Sequence, residues 1–287
     1  MNKLFVVQHD LLRDLAIYMS KPQNEDITER RRLIMERRGD DLPESWREEM
    51  DQSFSARLVS ILTDETYPSN WSDMQLPKAE VLILDFLATE YSLPPFMEKM
   101  GKLKVQIMTS HGQKHAKLKG GLQALGNVAQ LKKIRLEKIS IPPLIVPLKN
   151  LRKISLVMCE VGQAFTNCTM EISDMLPKLI EMDIDYCNDL IELPPGLCHV
   201  SHLQKLSITN CHNLSKLLEE LGDMTNLVVL RLHACTELSQ LPDSIRNLHK
   251  LRFLDISECV RMESLPQGLG ELNSLEKIDM SKCSRVK

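Results

Sequence analysis

Leu227-Val228-Val229-Leu230-Arg231-Leu232-His233-Ala234-Cys235-Thr236-Glu237-Leu238-Ser239-Gln240-Leu241-Pro242 sets the frame for the whole chain. Counted from Leu227, apolar residues fall at positions one, four, six, twelve and fifteen, with a cysteine at nine. That cysteine recurs as Cys159, Cys187, Cys211, Cys235, Cys259 and Cys283, in equal steps from Cys187 onward and after a slightly longer step before it. Frames of this form start at Ala79, Leu103, Leu131, Leu151, Leu179, Leu203, Leu227, Leu251 and Leu275. Ala56-x-x-Val59-x-Ile61 fits the same template one repeat ahead of Ala79, so a capping or degenerate repeat starts there.

A fixed period of 20–29 residues with L-x-x-L-x-L and a following cysteine or asparagine is the leucine-rich repeat signature. Side chains alternate faces along a strand, so positions four and six turn inward while three, five and seven turn out. The residues after the cysteine, such as Leu238, Leu241 and Ile245, line a return segment that faces the same core. One repeat cannot bury its apolar face alone, so neighbours must stack. The expected fold is an α/β solenoid with a curved parallel sheet on the concave face, preceded by a small helical segment. The pattern has exceptions. Gln106 stands where leucine is expected, and Leu217-Leu218 replaces the usual Leu-Pro. The stretch from His111 to Asn127, rich in glycine, is expected as a loop on the outer face.

The cysteines belong to this frame. A buried free thiol acts as a small apolar group with a weak donor, and no C-x2-C pair offers zinc spacing. Of 287 residues, 36 are Lys or Arg and 39 are Asp or Glu, so the net charge of −3 suggests neither nucleic acid nor an anionic membrane. No apolar run approaches the roughly 20 residues that span a bilayer. The amino-terminal stretch makes a poor secretory signal, and reduced thiols in the cytoplasm are expected.

Residues 1–55 follow another logic. Asp10 is an N-cap candidate for a helix carrying Leu11, Leu12, Leu15, Ala16 and Met19, with Pro22 after its end. A second helix is expected from near Asp26 to Arg38, with Leu33, Ile34 and Met35 toward a core, followed by an acidic linker from Gly39 to Gln52.

Gln8-His9-Asp10-Leu11-Leu12-Arg13-Asp14-Leu15-Ala16 resembles the methionine-histidine-aspartate motif that closes the nucleotide-binding (NB-ARC) region of plant intracellular immune receptors, with Gln8 in place of Met. Leu42-Pro43-x-x-Trp46, Ala56-x-Leu58-Val59-Ser60-Ile61, Pro77 to Leu84 and Leu275 to Met280 are similar to the helper class of these receptors, the activated-disease-resistance proteins. The resemblance implies that residues 1–55 are the carboxy-terminal remnant of the NB-ARC winged-helix region plus linker, and that 56–287 are the leucine-rich-repeat domain. It also implies ADP or ATP as the cofactor of full-length relatives, with His9 as the residue that meets the phosphate. In this chain the site is incomplete, because no G-x-x-x-x-G-K-[ST] loop accompanies it and Gly101-Lys102 is followed by leucine. No cofactor and no metal are therefore expected.

Catalysis is not expected either. His111 and His115 share helical spacing without the glutamate of H-E-x-x-H, no G-x-S-x-G elbow exists, and Cys198-His199 are sequence neighbours whose side chains diverge. What remains is the concave face, where solenoids bind. Taking positions three, five, seven and eight as outward, the early frames offer Val81, Ile83, Phe86, Val105 and Ile107, and the next offers Lys133 and Arg135. An apolar patch flanked by charge marks a protein interface. The expected partners are an NB-ARC region or immune signalling proteins, with no nucleic acid and no membrane span. The function expected is a non-catalytic interaction and regulatory module of an immune receptor. A free-standing repeat scaffold or decoy for an unrelated partner stays open as the alternative. The last frame ends without a polar cap, so an exposed apolar edge is expected beyond Leu275.

Overall fold

Short strands separated by whole repeats can pair only in parallel, and they do so with one register throughout. The computed structural model describes the backbone of residues 32–36 and all of residues 56–63, 74–162, 164 and 171–286. Fourteen strands occur among these. β1 is Arg32–Glu36, β2 Leu58–Thr63, β3 Val81–Phe86, β4 Glu90–Ser92 and β5 Val105–Ser110. β6 is Ala116–Lys119, β7 Lys133–Glu137, β8 Ile139–Ser140, β9 Lys153–Val157 and β10 Glu181–Asp185. β11 is Lys205–Thr209, β12 Val229–Arg231, β13 Phe253–Asp255 and β14 Lys277–Asp279. Eleven of them form one sheet in the order β1-β2-β3-β5-β7-β9-β10-β11-β12-β13-β14, while β4, β6 and β8 form a smaller sheet.

Equal positions of successive frames pair across the large sheet. Position three runs Leu58, Val81, Val105, Lys133, Lys153, Glu181, Lys205, Val229, Phe253, Lys277 without a slip. Positions four and six are buried as the alternation requires: Leu82 and Leu84, Ile134 and Leu136, Met182 and Ile184, and Leu230 and Leu232 are at most 1 % exposed. Gln106 at position four is also fully buried and turns its amide onto the Ile107 carbonyl at 3.1 Å. The return side carries one-turn 3-10 segments, among them Glu219–Asp223, Asp243–Asn247 and Gln267–Glu271. Proline before the segment fixes its entry: Pro242 has φ −69 and ψ 148. Leu218, in the frame that lacks the proline, reaches φ −70 and ψ 141 unaided, so the substitution leaves the geometry intact.

The cysteines form a ladder of hydrogen bonds rather than of disulfides. The thiols of Cys159, Cys235, Cys259 and Cys283 donate to the carbonyls of Leu136, Ile208, Leu232 and Ile256 at 2.9–3.5 Å, each a position-six carbonyl one rung earlier. Cys187 and Cys211 reach Leu156 and Ile184 in the same way at longer range. Described cysteines are all free, and all but Cys283 are buried.

Two expectations change here. Residues 32–36 are a strand paired with β2, not part of a helix from Asp26 to Arg38; the remainder of that stretch and the expected first helix lie outside the described residues. Register with the in-line run Leu58-Val59-Ser60-Ile61-Leu62 overrides helical preference, because pairing with β2 supplies partners for the backbone groups on that side of the segment. The stretch from His111 to Asn127 is not a plain loop: it holds β6, in the small sheet, and a turn of helix at Gln123–Gly126. On the last described rung Ile278 is 39 % and Met280 46 % exposed.

Candidate functional site

Positions three, five and seven of the large sheet form its open face, and this face has two zones. Toward the first strands it is apolar. Val81 and Ile107, expected on the exposed patch, are buried there at 3 % and 5 % exposed, while Ile83 and Val105 are half-buried. From β7 onward it is ionic. Arg135 donates to the Glu137 carboxylate at 2.8 Å and to Ser155 Oγ at 3.3 Å. Lys153 lies 3.0 Å from Glu181 and 3.2 Å from Asp183, and Lys205 reaches the other oxygen of Asp183 at 2.9 Å. Arg231 pairs with Asp255 at 3.2 Å through Nε. Lys133, expected on this face, is there between Val105 and Lys153.

Lys153 shows why the network holds. Burial alone would lower its pKa, since a desolvated ammonium prefers to lose its proton. Asp183 and Glu181 outweigh that burial and hold the pKa above the ordinary lysine value. Asp185 is held differently, accepting from Thr209 Oγ1 at 2.6 Å and Asn210 Nδ2 at 2.9 Å. Between these groups lies a hollow of about 140 Å³, lined by Arg135, Lys153, Asp183, Asp185, Lys205 and Arg231 together with small hydroxyl residues.

Position eight divides the sheet in two, which corrects one expected site residue. Phe86 is fully buried, not on the open face, and its ring stacks on Tyr91 with centroids 3.9 Å apart and planes 6° from parallel. The reason is conformational. In β2, β3 and β5 the strand runs on through position eight, which therefore points inward like positions four and six, placing Thr63, Phe86 and Ser110 in the core. From Lys138 onward the same position turns left-handed: Lys138, Met158, Tyr186, Asn210, Ala234, Glu258 and Lys282 have φ between 49 and 63. The turn swings the side chain out, so Met158 is 45 % and Tyr186 44 % exposed. The signal for this switch was in the next residue, which is Ile139 or a cysteine wherever the turn is left-handed and is Asp64, Leu87 or His111 where it is not.

The remaining candidates do not assemble a catalytic site. His111 Nε2 stands 3.5 Å from Asp85 and His115 Nδ1 3.3 Å from Glu160, so each histidine meets a carboxylate of a different rung. Burial raises the Asp85 carboxyl above its usual range, although His111 pulls it down. Cys198 is buried and His199 exposed on one turn, and burial pushes the Cys198 thiol up to about 12. No metal-holding group of His, Cys, Asp and Glu occurs among the described residues. His9 lies outside them.

The family described as "Leucine-rich repeat region" matches residues 194–287. Over 208 residues the chain is 43% identical to Disease resistance protein ADR1 of Arabidopsis thaliana, covering 71% of this chain and 26% of that one. Over 206 residues it is 42% identical to Probable disease resistance protein At4g33300 of the same plant, covering 71% and 25%. This chain is related to the plant disease resistance proteins. It spans about a quarter of the length of these relatives. Among solved structures the leucine-rich repeat domain of the type III effector XCV3220 (XopL) aligns with a TM-score of 0.53 at 20% identity, covering 72% of this chain and 77% of that one. At that identity the likeness concerns the fold, which is the leucine-rich-repeat solenoid that the register of the large sheet also gives. No helix among the described residues is long and apolar enough to cross a membrane.

Proposed function

We propose that this chain is a non-catalytic interaction and regulatory module of a plant immune receptor of the helper class, acting in defence signalling through protein contacts in the cytoplasm. The observation that carries the reading is the open sheet face of an array related to disease resistance proteins, where Ile83 and Val105 are half-buried over the buried Val81 and Ile107 and charge begins at Lys133 and Arg135. A parallel sheet closed by return segments on one side leaves its other side for a partner. The partner proposed for the apolar zone is the NB-ARC region of such a receptor, since desolvating aliphatic side chains beside a charged border is the ordinary anatomy of a protein interface.

The chain's own residues hold no nucleotide in this reading. His9 alone would meet a phosphate, and the glycine-rich loop and lysine that cradle phosphates have no counterpart in the sequence. Calorimetric titration of the purified chain with ADP or ATP is expected to show no binding at micromolar concentrations; heat with a one-to-one stoichiometry would overturn this part. For the interface, co-precipitation of the chain with a separately expressed NB-ARC region of a relative is the test. Binding is expected for the native chain and lost in the Ile83→Asp, Ile107→Asp double variant. Equal recovery of both would remove the apolar zone from the interface.

A further inference from the structure

Arg57, Arg152 and Arg261 are the three arginines of the chain with a serine three residues on, at Ser60, Ser155 and Ser264. The fold treats these serines differently. Ser60 lies inside β2, which β1 and β3 flank on both sides. Ser155 lies inside β9, is 6 % exposed and accepts a hydrogen bond from Arg135 at 3.3 Å. Of the three, only Ser264 is on the return side, exposed between the turn at Arg261 and the 3-10 segment Gln267–Glu271. Among the described residues nothing hydrogen-bonds to it, through backbone or side chain.

That exposure belongs to the position, not to the place of the rung in the array. Counted from Leu251, Ser264 is position fourteen, and Glu192, Lys216 and Gln240 hold that position in the three preceding frames. All three are exposed, although a following rung stacks on each of theirs. The backbone around Ser264 is already extended. Pro266 has φ −64 and ψ 143, and the Glu263 N–H donates to the Ser239 carbonyl of the rung before at 3.1 Å. A protein kinase takes its substrate serine on extended chain, so no helix has to unwind here. Met262, fully buried, anchors the stretch and leaves Arg261 and Ser264 on the outside of one rung. Arg261 has 55 % of its side chain exposed and pairs with Glu237, itself 39 % exposed. An ion pair so open to water contributes little, so the guanidinium can exchange Glu237 for carboxylates of an enzyme at small cost.

We propose that Ser264 is a phosphorylation site for an arginine-directed serine/threonine kinase, which reads Arg261 and finds the hydroxyl free on an extended, exposed stretch. In the transfer Ser264 Oγ attacks the γ-phosphorus of ATP held by the kinase. The Oγ–P bond forms as the bond from that phosphorus to the β,γ-bridging oxygen breaks. ADP leaves with the electron pair, and the hydroxyl proton passes to the catalytic aspartate of the kinase. The product adds about −1.5 to −2 charge at pH 7 on the outer side of the rung. Position fourteen lies on the return side and not on the open sheet face, so the site is independent of the interface read there. The frame also tolerates the test. Gln240 holds position fourteen and Asn213 position eleven in other frames, so uncharged side chains are already accepted where Ser264 and Arg261 stand.

The experiment incubates the whole purified chain with MgATP and calcium/calmodulin-dependent protein kinase II, which reads an arginine three residues ahead of serine. The acid-directed casein kinase 2 is the control. Peptide mass spectrometry is expected to find Ser264 phosphorylated by the first kinase and not by the second. Arg261→Gln is expected to slow the transfer at least ~10-fold, by loss of a charge-assisted contact in the kinase cleft. Ser264→Ala is expected to remove most of the phosphate incorporated, and both variants to keep the native circular dichroism. Unmodified Ser264 in the native chain, equal rates for native and Arg261→Gln, or faster labelling of Ser60 or Ser155 would each overturn the proposal. In leaf cells expressing the chain, with phosphatases inhibited, the phosphopeptide that holds Ser264 is expected to be recovered. Its absence would overturn the proposal as well. Ser264→Ala leaves Ile83 and Ile107 untouched, so phosphorylation and NB-ARC binding are read on separate side chains and fail separately.

Discussion

A thiol that recurs once in every rung from Cys159 onward invites a chemical role, and its surroundings deny it one. Burial pushes Cys198, Cys211 and Cys259 up to about 12, and at Cys187 the hydrogen bond shared with Cys159 and then burial act in the same direction. Only the thiolate is a nucleophile, so these groups are inert near neutral pH. Alkylation at pH 8 read by peptide mass spectrometry is expected to mark Cys283, which is partly exposed, well before Cys187, Cys198, Cys211, Cys235 and Cys259. Modification of those five at the rate of an unfolded control would contradict the ladder. The linkage has a definite sign. Thiols whose folded pKa is raised favour the native state fully below the unfolded value of ~8.5, and this stability is lost as pH rises toward about 12. Urea midpoints should therefore fall between pH 8.5 and 11, and by less when Cys211 and Cys259 are both alanine. Cys235→Ala also removes a thiol bonded to the Ile208 carbonyl in a fully buried place, at an expected cost of ~1–3 kcal/mol.

At the scale of the element, the frame was legible because burial has a period of two within each strand and a second, longer period across repeats, and both are written in leucines. Position eight was not legible by that rule. Whether it points in or out depends on one backbone angle, which is left-handed wherever the next residue is Ile139 or a frame cysteine and is not at Phe86, although the apolar Leu87 follows it. Phe86 and Tyr186 thus share a position and face opposite ways. The strand at Arg32–Glu36 was missed for a related reason: a short segment of mixed helical and strand preference is decided by the partner it meets, here β2. The return segments carry their own signal in small residues. A Cβ on Gly222 would lie 2.2 Å from the Ser244 carbonyl oxygen of the next 3-10 segment. Gly222→Ala is expected to force these neighbouring segments apart and cost ~1–3 kcal/mol, measured as a lowered thermal midpoint. An unchanged midpoint would mean that the rungs can slide. Leu230→Ala, at a fully buried position four, should cost ~2–5 kcal/mol.

For the whole molecule, the array is a sum of rungs whose faces do different things: a core of positions four and six, a thiol ladder at nine, and an open side that changes from aliphatic to ionic at Lys133. The sequence placed Val81, Ile83, Val105, Ile107, Lys133 and Arg135 at their positions, because register needs only counting. It could not show that Lys153, Asp183 and Lys205 interlock, since they belong to three successive frames and meet only once the rungs stack. The central claim is that the aliphatic zone of the open face is a protein interface. Ile83 is half-buried, so Ile83→Asp tests the surface, whereas Ile107 is 5 % exposed and Ile107→Asp also loads the fold, so the double variant counts only with a thermal midpoint matching the native chain. The most direct measurement is a calorimetric titration of the purified NB-ARC region of a related disease resistance protein into the native chain and into that double variant. Saturable binding is expected for the native chain and at least ~100-fold weaker binding for the variant, with matching circular dichroism. Equal affinity for the two would contradict it.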